Sequence, residues 1–321
     1  MSIDTRKFQM PQSELNRLSD SVKKYLISSH TDNTRRAYAT DWRHFTAWCN
    51  QHDFTALPCA PETLMLYLTE SVEAGYKIST IQRRISAISV AHQAAKIASP
   101  IDDMHVRMLW RGIRRKHGIA VKGALPITIP ELRAMMEHIP DTIQGFRDRT
   151  LILIGFAGAF RRSELVSLDV EDLTFQREGI VILLRHSKTD QEGEGRKIAI
   201  PYGSRLETCP VRAMQDWLAV SRIEQGAIFR RVNKGDRVEK SRLTGDAVAK
   251  IIKRAIRNAG LDPTHFSGHS LRAGFATAAA QAGVDERNIQ RQTGHKSVAV
   301  LRGYIRDGNL FRQNAAADVG L

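Results

Sequence analysis

Residues 150–160 read TLILIGFAGAF, an apolar run with the length and composition of a buried helix. After this run the hydrophobic pattern changes. Residues 179–184 (GIVILL) and 197–200 (KIAI) are short and apolar or alternating, as strands are, and the polar segment 186–196 (HSKTDQEGEGR) between them predicts a β-hairpin. Helical patterns return from Pro210 onward, over about 210–222, 244–259, 269–282, 285–292 and 296–304. We therefore predict that this part of the chain is mainly helical and contains one small antiparallel sheet.

The first third of the chain predicts a compact bundle of about four or five helices. In a segment from about residue 33 to residue 50, aromatic residues recur at spacings of three and four. Further helices are predicted from Pro61, from Ser79 and over roughly 103–116. The stretch 118–129 (GIAVKGALPITI) has no clear period, so we interpret it as a linker. The prediction is a mainly α protein with two domains, residues 1–120 and 121–321.

The charge of the chain indicates a polyanionic partner. Lys and Arg number 48 against 34 Asp and Glu, which gives a net charge of +14. Residues 1–120 carry 17 basic and 11 acidic residues and the remainder carries 31 and 23, so both parts are basic. Nucleic acid is the commonest polyanion that a soluble protein binds. Candidate phosphate contacts in the first domain, each of which could instead lie on a solvated helix face, are Arg35, Arg36, Arg83, Arg84, Arg111, Arg114, Arg115 and Lys116.

Other sequence features favour a cytoplasmic protein. No run of about 18 or more apolar residues appears, and the first 20 residues lack the apolar core of a secretory signal. The three cysteines are widely spaced and form no C-x-x-C pair, which is typical of a reducing compartment and predicts neither disulfides nor a zinc knuckle.

Residues 267–272 (SGHSLR) predict an anion site. Ser267 or Gly268 can cap a helix, which puts His269 and Arg272 in its first turn and, at a spacing of three, on one face. A helix N-terminus attracts anions, and these two side chains add a donor and a fixed charge. His265 and His269 also have the spacing of a metal pair, but Gly268 interrupts the helix between them, so no metal is predicted. Farther on lie Gly294-His295-Lys296 and, nine residues after His295, Tyr304.

This order of His-x-x-Arg, Gly-His and Tyr resembles the catalytic domain of the tyrosine recombinases, the phage integrase family. The resemblance implies that Arg161, in residues 159–165 (AFRRSEL), is a catalytic arginine and that Glu164 orients a neighbouring cation. It also implies that Lys188 in the hairpin is a catalytic lysine, with Lys197 as the alternative. The catalytic set is then Arg161, Lys188, His269, Arg272, His295 and Tyr304. Residues 33–38 (NTRRAY) and 41–45 (DWRHF) are similar to the opening of the family's helical, SAM-like core-binding domain. The resemblance implies that this domain and the catalytic domain form a C-shaped clamp on opposite faces of the DNA duplex.

The resemblance further implies a reaction and an assembly. Tyr304 attacks a DNA phosphate held by Arg161, Arg272 and His295, His269 accepts or shares the phenol proton, and Lys188 protonates the leaving 5′ oxygen. The product is a 3′-phosphotyrosine that a second strand can attack, so neither nucleotide nor metal is required; no G-x-x-x-x-G-K-[ST] loop is present. The expected partner is double-stranded DNA at a specific site, bound by a tetramer in which the segment after Asp307 docks on a neighbouring subunit.

Several alternatives remain. A type IB topoisomerase uses a similar residue set, and a DNA-binding regulator could keep the fold without the chemistry. The tail could pack on its own domain, and Arg161 with Glu164 could be an ordinary i,i+3 ion pair. The sequence identifies neither the target DNA nor the element that carries the gene.

Overall fold

The computed structural model describes residues 32–118, 124–185, 195–295 and 301–305. The chain separates into two compact units, with the division between Lys122 and Gly123. Each unit is described by itself below.

The first unit is a helical bundle whose helices start where the sequence supplies caps. Pro61 stands in the first turn of its helix, and the Asp103 carboxylate accepts hydrogen bonds from the backbone nitrogens of His105 and Val106. The helices are α1 (Asp32–Gln51), α2 (Pro61–Glu73), α3 (Ile78–Ala94) and α4 (Met104–His117). Their apolar faces meet in a core of buried side chains: Phe45, Cys49, Cys59, Leu64, Tyr67, Leu68, Ile81, Ile88, Val106 and Trp110. The predicted bundle is confirmed.

The second unit is mostly helical and is built around one long buried helix. Its helices are α5 (Ile129–Glu137), α6 (Ile143–Ala157), α7 (Arg162–Ser167), α8 (Pro210–Ser221), α9 (Gly245–Asn258), α10 (Ser270–Gln281) and α11 (Glu286–Thr293). The apolar run that begins at Thr150 forms the end of α6, in which Leu151, Ile152 and Ile154 are fully buried. Burial of each such side chain contributes about 1.5–3 kcal/mol, so α6 anchors this core. Residues 301–305 are also helical.

The sheets of this unit are small and antiparallel. Strands β1 (Leu173–Gln176), β2 (Gly179–Leu184) and β3 (Arg196–Pro201) pair in that order, and the β2–β3 register runs from Gly179↔Pro201 to Leu184↔Arg196. The pairing of β2 with β3 confirms the predicted hairpin strands; the hairpin loop, residues 186–194, lies outside the described residues.

A second sheet corrects the prediction of a single one. Strands β4 (Arg230–Val232) and β5 (Val238–Arg242) pair, and Asp236 in their turn accepts hydrogen bonds from the backbone nitrogens of Ile143 and Gln144 at 2.8 and 2.9 Å. This turn therefore caps the first turn of α6 from a distant part of the chain. Both strands are short and mostly polar, so their pattern does not predict a sheet.

Gly274 lets α10 approach the segment before α5 closely, because a Cβ there would stand 2.2 Å from the Ile127 carbonyl oxygen. Among the helices that the structure describes, none is long and apolar enough to cross a membrane.

Candidate active site

Arg161 lies directly after the tight turn that ends α6. Ala159 has φ +49°, a left-handed conformation that reverses the chain at the end of this buried helix and brings Arg161 to the start of α7. The Glu164 carboxylate, only 2% exposed, accepts hydrogen bonds from the Arg161 backbone nitrogen at 2.9 Å and from Arg161 Nη1 at 2.5 Å. Glu164 therefore holds both the main chain and the guanidinium of Arg161, as a buried counter-charge.

Arg272 lies in the first turn of α10 and is 4% exposed. Its Nη1 atom donates to the Ala159 carbonyl oxygen at 2.7 Å, and its Nη2 atom is buried without a hydrogen-bond partner in the described part of the chain. Burial is the largest cause that lowers the pKa of Arg272, to about 10, and the positive charge of Arg161 is the next largest. The guanidinium therefore stays charged at neutral pH. An anionic oxygen would supply the missing acceptor and offset the repulsion between the two arginines.

His295 follows α11 through Gly294, which has φ +64° and so ends the helix in the left-handed conformation. Its Nδ1 atom is 2.8 Å from Thr293 Oγ1. Burial is the largest cause that lowers the pKa of His295, to about 4, and the positive charges of Arg272 and Arg161 lower it further. The ring is therefore neutral at physiological pH.

Tyr304 lies beside His295, with 6.1 Å between the ring centroids. The helical segment 301–305 is held on α10 and α11 of the same chain: Leu301 is fully buried against Ala276, Ala280 and Ile289. Arg302 adds an ion pair with Glu286 at 3.3 Å. This packing brings Tyr304 to the histidine and near Arg272, where the negative charge of a phenolate would favour the charged guanidinium.

The other two predicted catalytic residues are His269 and Lys188. His269 is exposed at the start of α10, and its backbone nitrogen donates to Ser267 Oγ at 3.1 Å. Lys188 lies outside the described residues. Lys197, the alternative lysine, is exposed on β3 opposite Leu183.

The sequence reasoning missed Arg196, the first residue of β3. Its Nη1 atom donates to the carbonyl oxygens of Arg291 and Gln292 at 2.9 and 2.8 Å, at the end of α11. Its guanidinium lies against Gly294, where a Cβ would stand 2.7 Å from the guanidinium carbon. The Arg196 charge contributes to lowering the pKa values of both Arg272 and His295, so it is a third cation of the site. The alternation of β3 could have identified Arg196, because it shares a strand face with the buried Ile198 and Ile200, whereas Lys197 lies on the exposed face.

Among the predicted phosphate contacts of the first unit, Arg83 and Arg84 contact residues outside their own helix. Arg83 forms a bidentate pair with the buried Asp41 at 2.7 and 3.0 Å. The placement of Arg84 on the exposed face of α3 is wrong: it is 5% exposed, and its guanidinium lies 3.9 Å from the centre of the Tyr76 ring. The helix periodicity puts Arg84 next to Ile85 on the buried side. The other candidates are exposed and lie near the start of α1 or in the second half of α4: Arg35, Arg36, Arg111, Arg114, Arg115 and Lys116.

Comparisons with known proteins agree with this arrangement. Residues 127–309 match the Phage integrase family, and residues 22–98 match the phage integrase N-terminal SAM-like domain. An integrase/recombinase xerD homolog from Selenomonas ruminantium is 44% identical over 303 residues, 93% of this chain and 89% of that protein. The recombinase cre of Escherichia phage P1 is 25% identical over 93% of this chain and 92% of its own length.

A solved structure shows the same fold. The Tn1549 transposon integrase in complex with transposon right end DNA superposes with a TM-score of 0.64 at 16% identity, over 92% of this chain and 98% of that one. The two family matches span both units, and the first alone covers more than half of the chain. The chain belongs to the phage integrase family, the tyrosine recombinases.

Proposed function

We propose that this protein is a site-specific recombinase that cleaves and rejoins DNA strands through a covalent bond between Tyr304 and a 3′ phosphate. The observation that carries the proposal is the meeting of Arg161, Arg272, His295 and Tyr304, which come from four separate segments of the chain. Three cationic or polar donors beside one phenol suit a reaction in which an oxygen nucleophile attacks an anionic phosphate.

In the proposed reaction the two arginines bind the non-bridging phosphate oxygens. Arg272 uses Nη1 on Ala159, so its buried Nη2 is available to a phosphate oxygen. Arg161 is held by Glu164 through one Nη atom and has further donors. Such donors stabilise the charge that builds on the phosphate during attack, and each contributes about a hundredfold or more to the rate.

His269 and Lys188 complete the proposed set. His269 accepts or shares the phenol proton, which is needed because an ordinary tyrosine titrates near pH 10. Lys188 protonates the 5′ oxygen as it leaves. These two roles rest on the family resemblance and on the order of the motifs.

The proposed partner is double-stranded DNA at a recombination site, gripped by both domains, residues 1–120 and 121–321. The exposed arginines and lysine of α1 and α4 are proposed phosphate contacts. We further propose a tetramer on two sites, with the segment after Asp307 docked on a neighbouring subunit, and a cytoplasmic location. That segment lies outside the described residues.

The test is capture of a covalent adduct from a pool of nicked DNA duplexes with randomised sequence. Wild-type protein should retain DNA under denaturing conditions, with the phosphate on Tyr304 by mass spectrometry, and sequencing of the retained DNA should give one enriched site. Tyr304→Phe keeps the ring and loses the nucleophile, so it should give no adduct. Tyr202→Phe is the matched control, because Tyr202 is exposed and its hydroxyl accepts a hydrogen bond from Gln215 at 3.3 Å.

The outcomes separate the alternatives. A regulator without chemistry would give DNA binding and no adduct with wild-type protein. A topoisomerase would give an adduct without an enriched site and would relax supercoiled plasmid. Either result would overturn the proposed site-specific recombination.

A further inference from the structure

Thr293, the last residue of α11, lies two residues before His295 and is fully buried. Its hydroxyl oxygen is 2.8 Å from the Ile289 carbonyl oxygen and 2.8 Å from His295 Nδ1. A hydroxyl has one hydrogen and two acceptor lone pairs, so only one of these two contacts can use the hydroxyl hydrogen.

The two distances decide which contact that is. If the Thr293 hydrogen pointed to His295, two acceptor oxygens, those of Thr293 and Ile289, would face each other at 2.8 Å with no hydrogen between them. If the hydrogen points to Ile289, both contacts are hydrogen bonds, because His295 Nδ1 then donates to Thr293. The neutral ring is therefore protonated at Nδ1, and Nε2 carries a lone pair.

This tautomer has a consequence for phosphate binding. Phosphate oxygens only accept hydrogen bonds, so a lone pair on Nε2 cannot bind one. Among the described residues, the charged groups around the ring are Arg272 from α10, Arg161 from the start of α7 and Arg196 from β3, and the Tyr304 phenol from segment 301–305 lies beside it. All three cations disfavour a charged imidazole, and the negative charge of a phosphate would offset them.

We propose that Thr293 is a positioning residue that holds His295 in the Nδ1–H tautomer, so that His295 takes up one proton from solvent at Nε2 when a DNA phosphate binds. The resulting imidazolium donates Nδ1–H to Thr293 and Nε2–H to the phosphate. The low pKa of free His295 agrees with the neutral starting state. The proposal rests on the proposed function for the identity of the phosphate, and on the local geometry for the tautomer.

The first test reads the tautomer directly, in the full chain without DNA. Nitrogen-15 NMR of histidine-labelled protein at neutral pH distinguishes protonated from unprotonated Nδ1, and the spectrum of His295→Gln assigns the His295 signals. Wild type and Thr293→Ser should show Nδ1–H, whereas Thr293→Val should shift His295 toward Nε2–H. Thr277→Val is the matched control, because Thr277 is also a buried helical threonine, and its hydroxyl has no hydrogen-bond partner among the described residues. An Nε2–H signal in wild type, or no change in Thr293→Val, would overturn the proposal.

The second test reads the proton uptake, as single-turnover cleavage of a nicked duplex between pH 6 and pH 9. Near neutral pH we expect Thr293→Val to cleave about tenfold more slowly than wild type, from loss of one hydrogen bond to the imidazolium. In Thr293→Val the neutral His295 ring can already donate from Nε2, so this variant does not depend on proton uptake. The ratio of the wild-type rate to the Thr293→Val rate should therefore fall toward one as the pH rises. Thr293→Ser should follow wild type. A ratio that stays constant with pH means that Thr293 is merely structural. If wild type forms no adduct at all, the proposed function fails, while the tautomer test still decides the role of Thr293.

Discussion

Arg272 and Ala159 are joined by a hydrogen bond of 2.7 Å from Nη1 to the carbonyl oxygen, across 113 positions of sequence. Ala159 occupies the left-handed turn two residues before Arg161. The Arg272 side chain thus stabilises the turn that positions Arg161. This bond ties the position of the Arg272 side chain to the turn that precedes Arg161.

Arg272→Lys should lower the rate of covalent adduct formation by about a hundredfold or more. A lysine keeps the charge but is a point donor, and it cannot bond Ala159 and offer a second planar N–H to a phosphate in the same geometry. Single-turnover cleavage of a nicked duplex measures the effect. Arg257→Lys, on the exposed side of α9, should cleave like wild type. A rate for Arg272→Lys close to that of wild type would contradict this role.

Glu164→Gln should lower the free energy of unfolding by about 3 kcal/mol, because it leaves the Arg161 charge without its buried partner. Urea denaturation measures this change. The matched control is Asp246→Asn, because Asp246 forms an ion pair with Arg162 in which the Arg162 side chain is 46% exposed and the Asp246 side chain 83%. An exposed pair contributes little, so the control should cost less than about 1 kcal/mol. Equal effects of the two variants would show that Glu164 is an ordinary ion-pair partner.

The stability of the protein should fall between about pH 6.5 and pH 4 through His295. Its pKa in the folded state is about 4, below the ordinary value of 6.5, so in this window the unfolded chain binds a proton that the folded chain does not. Between pH 7 and pH 4.5, wild type should lose about 1–2 kcal/mol more free energy of unfolding than His295→Gln, since the ring is half-buried and solvent screens part of the effect.

The control for this pH dependence is His138→Gln, because His138 is exposed after α5 and its Nδ1 atom contacts the Ala134 carbonyl oxygen of that helix. This variant should follow the wild-type pH curve. If the free energy of unfolding of His295→Gln changed with pH in parallel with that of wild type, the His295 ring would titrate alike in the folded and the unfolded chain, which would contradict the prediction.

Each protomer should attack DNA with its own Tyr304, because Leu301 buries the preceding turn against α10 and α11 of the same chain. Mixing Tyr304→Phe with Arg272→Lys protomers tests this. If tyrosines were exchanged between subunits, an intact arginine site could receive an intact Tyr304, and adduct formation would return. We expect no such recovery. Mixing wild type with Tyr304→Phe is the control and should still give adduct on the wild-type chains.

Much of the fold could be predicted from the sequence because helices depend on local periodicity and caps. The apolar spacing in α1 to α4 and the run at the end of α6 give nearly the observed helices. The β4–β5 sheet could not be predicted, since its strands are short and polar and it is stabilised by pairing and by the contact of Asp236 with α6. Arg84 was misplaced because a step of one residue, about 100° around the helix, separates the exposed Arg83 from the buried Arg84.

For the site, the sequence by itself determined the residue types, their order and the family to which they belong, because short motifs keep their local spacing on a helix turn or helix end. Only the tertiary structure decided how these segments meet. It joined Arg272 to the turn before Arg161, added Arg196 as a third cation, buried the Glu164 counter-charge and set Thr293 against His295. These contacts depend on burial and on orientation across distant segments, and charges without water between them act strongly on one another. No spacing along the chain encodes that effect.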